Sequence, residues 1–175
     1  MNKARVSLLA ITVAALGLAA AAQHDMPAGM THEEHMAQMK KQEEMKQRGN
    51  LAMGFDQDKT THHFFLRADG GVIQVESNDD QDTTSRDQIR THLKRISEQF
   101  AKGDFSAPFA THQEVIPGVA TMQRSKSKIK YQYDETQKGA AVRIATTDPK
   151  TLGAIHQFLK YQIREHATGD PLQVN

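Results

Sequence analysis

Apolar positions change texture four times along the chain. Val6 to about Leu18 is one continuous apolar run, followed by the small residues Ala19 to Ala22. From Gln23 onward the chain turns polar, and before Phe55 large apolar side chains other than methionine are nearly absent. From His62 short β-rich runs and helical stripes alternate. His62-His63-Phe64-Phe65-Leu66-Arg67 and Val72-Ile73-Gln74-Val75-Glu76 flank Asp69-Gly70, a strong hairpin signal. A turn there places Leu66 opposite Ile73 and Phe64 opposite Val75. His62 then shares their face, and His63, Phe65, Arg67, Gln74 and Glu76 take the other. Asn78 to Arg86 reads as a polar loop. Ile89, Leu93, Ile96 and Phe100 recur at helical spacing, and Gly103 ends that helix.

The same events recur in the second half. Ile129 to Tyr133 is a strand, Lys138-Gly139 a turn and Val142 to Ala145 the return strand. Asp148-Pro149 opens a helix with an acidic N-cap and proline in the first turn. Leu152, Ile155, Leu159 and Ile163 form its apolar stripe, and Gly169 ends it. Ile89-Arg90-Thr91-His92-Leu93-Lys94 aligns with Ile155-His156-Gln157-Phe158-Leu159-Lys160, and Ala101-Lys102-Gly103-Asp104 with Ala167-Thr168-Gly169-Asp170. The halves therefore form an internally duplicated ββα unit. The fold class is α+β: a two-layer sandwich with a four-stranded antiparallel sheet and two main helices on one face, since each helix has one stripe to bury. The domain spans residues 61–171, with repeats at about 61–104 and 128–170. In the connector from Phe105 to Lys128, Pro117-Gly118 interrupts the chain and Val119 to Ser127 forms a short helix.

The N-terminal textures are a different matter. A basic start (Lys3, Arg5), a short apolar stretch and small residues form a secretory signal over residues 1–22, too short for a membrane span of roughly 20 residues. Residues 23–60 read as a partly helical arm. Thr31 with Glu34 makes a capping box, and Arg48-Gly49-Asn50 is the expected stop, giving a helix from His32 to about Gln47. The expected location is the periplasm or the secreted fraction.

Charge and composition narrow the chemistry. Loss of Lys3 and Arg5 takes the 22 basic residues to 20, against 21 acidic ones. A near-neutral chain favours neither nucleic acid nor an anionic membrane surface, and no membrane insertion is expected after signal cleavage. The absence of cysteine removes thiol catalysis, thiolate metal sites and disulfides. His32-Glu33-Glu34-His35 is one residue short of the spacing a zinc-protease helix needs. There is no glycine-rich phosphate loop and no nucleophile elbow, so no residue set argues for catalysis. A histidine-dependent enzyme stays open as an alternative.

The arm holds His24, His32 and His35 and six of the eight methionines: Met26, Met30, Met36, Met39, Met45 and Met53. On a helix His32, His35, Met36 and Met39 share one side. Thioether suits Cu(I) and imidazole accepts Cu(II), so the arm reads as a copper ligand set formed by His24, Met26, Met30, His32, His35, Met36 and Met39. Cleavage after Ala21 would also leave His24 third from a free amine, a square-planar chelate for Cu(II). In the folded part His62, His63 and His112 are the candidate ligands. Adjacent strand residues point oppositely, so His62 and His63 should not share an ion. His62 with His112, or with His92, remains a candidate pair. His166 aligns with Phe100 and sits where a helix C-terminus favours its cationic form.

Gly54-Phe55-Asp56-Gln57-Asp58-Lys59-Thr60-Thr61-His62-His63-Phe64 resembles the signature of an uncharacterised family of small exported bacterial proteins. Arg86 to Leu93, Gly103-Asp104-Phe105 with Pro108, and Ile155-His156 through His166 with Thr168-Gly169-Asp170 extend the resemblance over about residues 53–171. It implies export and a shared fold, and brings no activity or catalytic residue. The leading expectation is a periplasmic metal-binding protein with copper as its ion, acting in binding, delivery or tolerance. The competing one is a binding or assembly module, a homodimer through an open sheet face carrying His63, Phe65, Tyr131 or Tyr133.

Overall fold

The computed structural model describes residues 29–174. The signal segment and the arm residues His24 and Met26 lie outside this range. The elements are α1 (His32–Met53), a 3-10 turn at Gln57–Lys59, β1 (Thr60–Arg67), β2 (Gly70–Ser77), α2 (Thr83–Ala101), α3 (Ser106–His112), α4 (Val119–Arg124), a 3-10 turn at Lys126–Lys128, β3 (Ile129–Glu135), β4 (Gly139–Thr146) and α5 (Pro149–Glu165). The strands form one antiparallel sheet in the order β1-β2-β4-β3. Helices α2 and α5 pack on one face of it. Phe64, Leu66, Ile73, Val75, Val142 and Ile144 of the sheet meet Ile89, Leu93, Phe100, Ile155, Phe158 and Leu159 of the two helices in a single core. This is the expected two-layer α+β sandwich of two ββα units.

The duplication is visible in the register. β2 pairs with β4 so that Gly70 faces Ala145, Ile73 faces Val142 and Glu76 faces Gly139. Gly70 and Gly139 both begin their strands, so Ile73 and Val142 are equivalent positions facing one another at a pseudo-twofold centre. Helix starts repeat the same device. Asp82 accepts from Ser85 N–H and from the Ser85 hydroxyl, and Asp148 does the same for Thr151. Both carboxylates thus satisfy helix N-terminal donors that would otherwise lack partners.

Four sequence expectations are corrected. The first hairpin closes at Arg67 and Gly70 around Ala68-Asp69, so Phe64 faces Ile73 and His62 faces Val75. The slip from the expected register is two residues, which keeps every side chain on its expected face. Tyr131 and Tyr133 do not join the open face: they pair with Ile144 and Val142, turn toward the helices, and Tyr131 meets Phe100 at 5.9 Å. The connector carries α3 as well as the expected α4. Finally, α1 runs through Gly49 to Met53 and stops at Gly54, whose φ of 82° is the left-handed conformation glycine favours. Gly49 is used for close approach. A Cβ there would stand 2.5 Å from Gln57 Nε2, whose amide donates to Lys46 O and to Asn50 Oδ1.

The arm therefore docks over its second half. Met45 and Gly49 are buried, Met53 packs on the core, and Arg48 donates to Thr111 O of α3. No helix among the described residues is long and apolar enough to cross a membrane.

Candidate functional site

Strand alternation sends His62 toward the helices and His63 to the open face. On the helix side His62 lines one space with three other imidazoles. Its ring lies 5.5 Å from His166, nearly parallel at 14°. His166 in turn stands 5.2 Å from His112 at 88°, and Phe55 bridges His62 and His92 at 5.8 and 5.6 Å. Each element delivers one ring: β1 His62, the buried stripe of α2 His92, the last turn of α3 His112 and the C-cap of α5 His166. All four border a cavity of about 60 Å³, with Met53, Phe64 and Gln162 also in its wall. At roughly 10–15 Å³ per water, that is room for a few waters or one ion.

Burial keeps these rings neutral. It pushes His62 down to about 4, helped by neighbouring His63, and His92 to about 3, helped by the Arg95 guanidinium and His62. Burial also lowers His112, and it lowers His166 well below the usual imidazole range, with His62 and His112 adding to the effect. The expected cationic His166 is thus corrected: removal from water outweighs the pull of the helix terminus.

Hydrogen bonds fix two tautomers. Gln162 Oε1 can only accept, so His112 donates from Nε2 at 3.1 Å and its Nδ1 carries a bare lone pair. Arg95 Nη2 donates to His92 Nδ1 at 3.0 Å, which leaves the His92 hydrogen on Nε2. Among the described residues His112 Nδ1 and His62 Nε2 are buried with no hydrogen-bond partner, as is Gln162 Nε2. A buried polar atom without a partner costs about 1–3 kcal/mol, so this cavity wall is held at some expense.

A second, more polar groove of about 400 Å³ runs beneath α1, bordered by Gln42, Met45, Lys46, Asp58 and Glu165. His62 and His166 border both spaces. The stacked pair is thus a shared wall between groove and cavity.

The sequence candidates separate into three groups. His62 and His112 come together at the cavity. His63 stands apart on the open face, its Nδ1 2.9 Å from Asp170 Oδ1. Met30 precedes α1, and His32, His35, Met36 and Met39 lie at its start, where Met36 and Met39 are 52% and 40% exposed and His35 is half-buried. Among the described residues no group of three or more His, Asp or Glu side chains stands close enough to hold a metal ion. His166, Gln162 and Met53 were not singled out as cavity residues by spacing alone. The signal for His166 was its alignment with the core residue Phe100, which marks an inward position. His92 likewise falls on the stripe of Ile89, Leu93 and Ile96.

No protein-family model, no curated protein and no solved structure matches this chain.

Proposed function

We propose that this chain is an exported metal-binding protein of the periplasm or secreted fraction, and that its ion is copper in the cuprous state, held at the histidine-lined cavity. One observation carries the reading. His112 Nδ1 and His62 Nε2, both buried and unpartnered among the described residues, sit on two rings of the same cavity wall. Metal ions take neutral imidazole, and burial holds these rings neutral. The His112 Nε2–H bond to Gln162 is the kind of outer contact that fixes a ligating tautomer. Cu(I) accepts low coordination numbers, so it does not require a group of three such side chains. A thioether in the wall, Met53, favours it further. The exposed His32, Met36 and Met39 at the start of α1 serve as capture ligands, in binding, delivery or tolerance.

Anaerobic titration of the purified protein with Cu(I), in competition with a chromophoric chelator, tests this. One equivalent should bind much more tightly than about millimolar. His112→Phe or His62→Phe should weaken it by about tenfold or more, and Gln162→Leu by about tenfold. Combined Met36→Leu and Met39→Leu should slow uptake with little change in the final affinity. Binding no tighter than millimolar, or tight binding indifferent to His62 and His112, sinks the reading.

A further inference from the structure

The two edges of the sheet end differently. On β1, Phe64 N–H points away from β2 and donates to Asp170 Oδ2 at 2.9 Å, so the segment after α5 is bonded to that edge at Phe64. On β3 the outward groups find no such partner. Thr136 N–H donates to Gly139 O, which sets the parity of the β3–β4 ladder: Lys130, Gln132 and Asp134 exchange bonds with β4. The backbone N–H and C=O of Tyr131 and Tyr133 then point outward, and no described residue bonds them. Exposed edges of this kind recruit other strands.

We propose that β3 pairs antiparallel with β3 of a second copy of this chain, joining two sheets into one about a twofold axis at Gln132. Outward groups must meet outward groups, which Tyr131 against Tyr133 of the second copy achieves on both sides of the axis. The same register sets Lys130 opposite Asp134 of the second copy, twice. These are non-hydrogen-bonded pairs, the closely approaching kind, and both residues are exposed on the sheet face away from the helices. The charges choose the register. Moving the axis by one residue, to Tyr131 or Tyr133, shifts the pairing by two; Lys130 or Asp134 then faces Gln132 of the second copy, and the paired attraction of Lys130 with Asp134 is lost. A pattern that guards the edge against other strands thus selects its own copy. The contact is isologous, so it closes at two chains. It uses β3 alone, independent of the metal reading.

Sedimentation equilibrium of the purified full chain at micromolar to near-millimolar concentration tests it. The expected mass is twice that of the chain. Lys130→Glu places carboxylates opposite one another and should give monomer with an unchanged circular dichroism spectrum. Lys130→Glu combined with Asp134→Lys restores the opposition and should restore the dimer. Phe65→Lys, on the open face beside β1, should leave the dimer intact. A monomer at every concentration overturns the proposal. So does a dimer that survives Lys130→Glu, one not restored by the double exchange, or one lost with Phe65→Lys.

Discussion

Asp170, just beyond the end of α5, accepts from His63 Nδ1 at 2.9 Å while its second oxygen takes the backbone N–H of Phe64. Thr168 adds a hydroxyl at 2.7 Å. Burial alone would raise this carboxyl, but the hydrogen bonds from Thr168, Phe64 and His63 win and hold it below the usual range. One side chain therefore fixes the edge of β1, the ring of His63 and the path of the C-terminal segment. Asp170→Ala should cost about 2–3 kcal/mol in urea unfolding, the range for hydrogen bonds to a charged group. Asp170→Asn should cost less, because its carbonyl still accepts from Phe64 N–H. Equal stability of wild type and Asp170→Ala would show that the edge is held by other means.

The buried imidazoles make the fold sensitive to acid. In the unfolded chain a histidine takes up its proton near pH 6.5. His62 resists until about 4 and His92 until about 3, both chiefly through burial. Between those values the unfolded state binds more protons, so stability falls as pH drops from 6.5. A displacement this size corresponds to about 3 kcal/mol for His62 once the pH reaches its folded value. That is a large part of the roughly 5–15 kcal/mol of an ordinary domain. The urea midpoint should fall steeply between pH 7 and pH 4.5, and His62→Phe should flatten the fall. Midpoints that match at pH 7 and pH 5 would refute it.

Two glycines should respond in opposite senses. Gly71 starts the core face of β2, and a Cβ there would stand 2.2 Å from Leu159 Cδ1 and 2.4 Å from Phe65 O. Leu159 can shift but the backbone oxygen cannot, so Gly71→Ala should destabilise by about 1–3 kcal/mol. Gly153 lies in the exposed interior of α5 with nothing near its missing Cβ. Gly153→Ala should stabilise by about 0.5–1 kcal/mol through the lost freedom of the unfolded chain. Thermal melts of the two variants check both signs, and a shift in the same direction for both would contradict this account.

The legible part of the fold was whatever depended on periodicity and punctuation. Ile89 to Phe100, Ile155 to Ile163, Asp148-Pro149 and Gly103 each carry a local signal, and the matching halves supply the sheet. The parts that misled depended on distant partners. Gly49 reads as a stop until Gln57 folds back against it. The hairpin register slipped because Ala68-Asp69, not Asp69-Gly70, forms the loop, and an even slip leaves no trace in the pattern of faces. The tyrosines of β3 read as surface because polar Lys130, Gln132 and Asp134 alternate with them. For the cavity, the histidine spacings within each element show little. Four rings on four elements converge only once α3 and the end of α5 are in place, and only the kinship of His166 with Phe100 hinted at it.

The docking of α1 leads to a prediction about where this fold opens first. Its N-terminus is well capped: Thr31 accepts from Glu34 N–H and Glu34 accepts from Thr31 N–H. Yet between His32 and Glu44 every side chain is exposed except half-buried His35. The first buried anchors are Met45 and Gly49. Below them Lys46 pairs with Asp58 and Arg48 with Thr111 O, contacts made at the surface or only partly covered. Lys41 adds surface ion pairs to Glu165 at 3.8 Å and Glu114 at 3.9 Å, a kind of contact that contributes little. A capped stretch of this length without a buried anchor is marginal in water, since short isolated helices gain too little per turn to offset nucleation. Amides of residues 36–44 should therefore exchange with deuterium at low protection. Those from Ile155 to Ile163, beneath the sheet, should exchange only with global unfolding. Gly49→Val would drive a side chain into Gln57 and Met53. It should extend fast exchange to residue 53 and leave α5 unchanged. Protection of residues 36–44 equal to that of α5 would mean the helix is held by more than Met45 and Gly49.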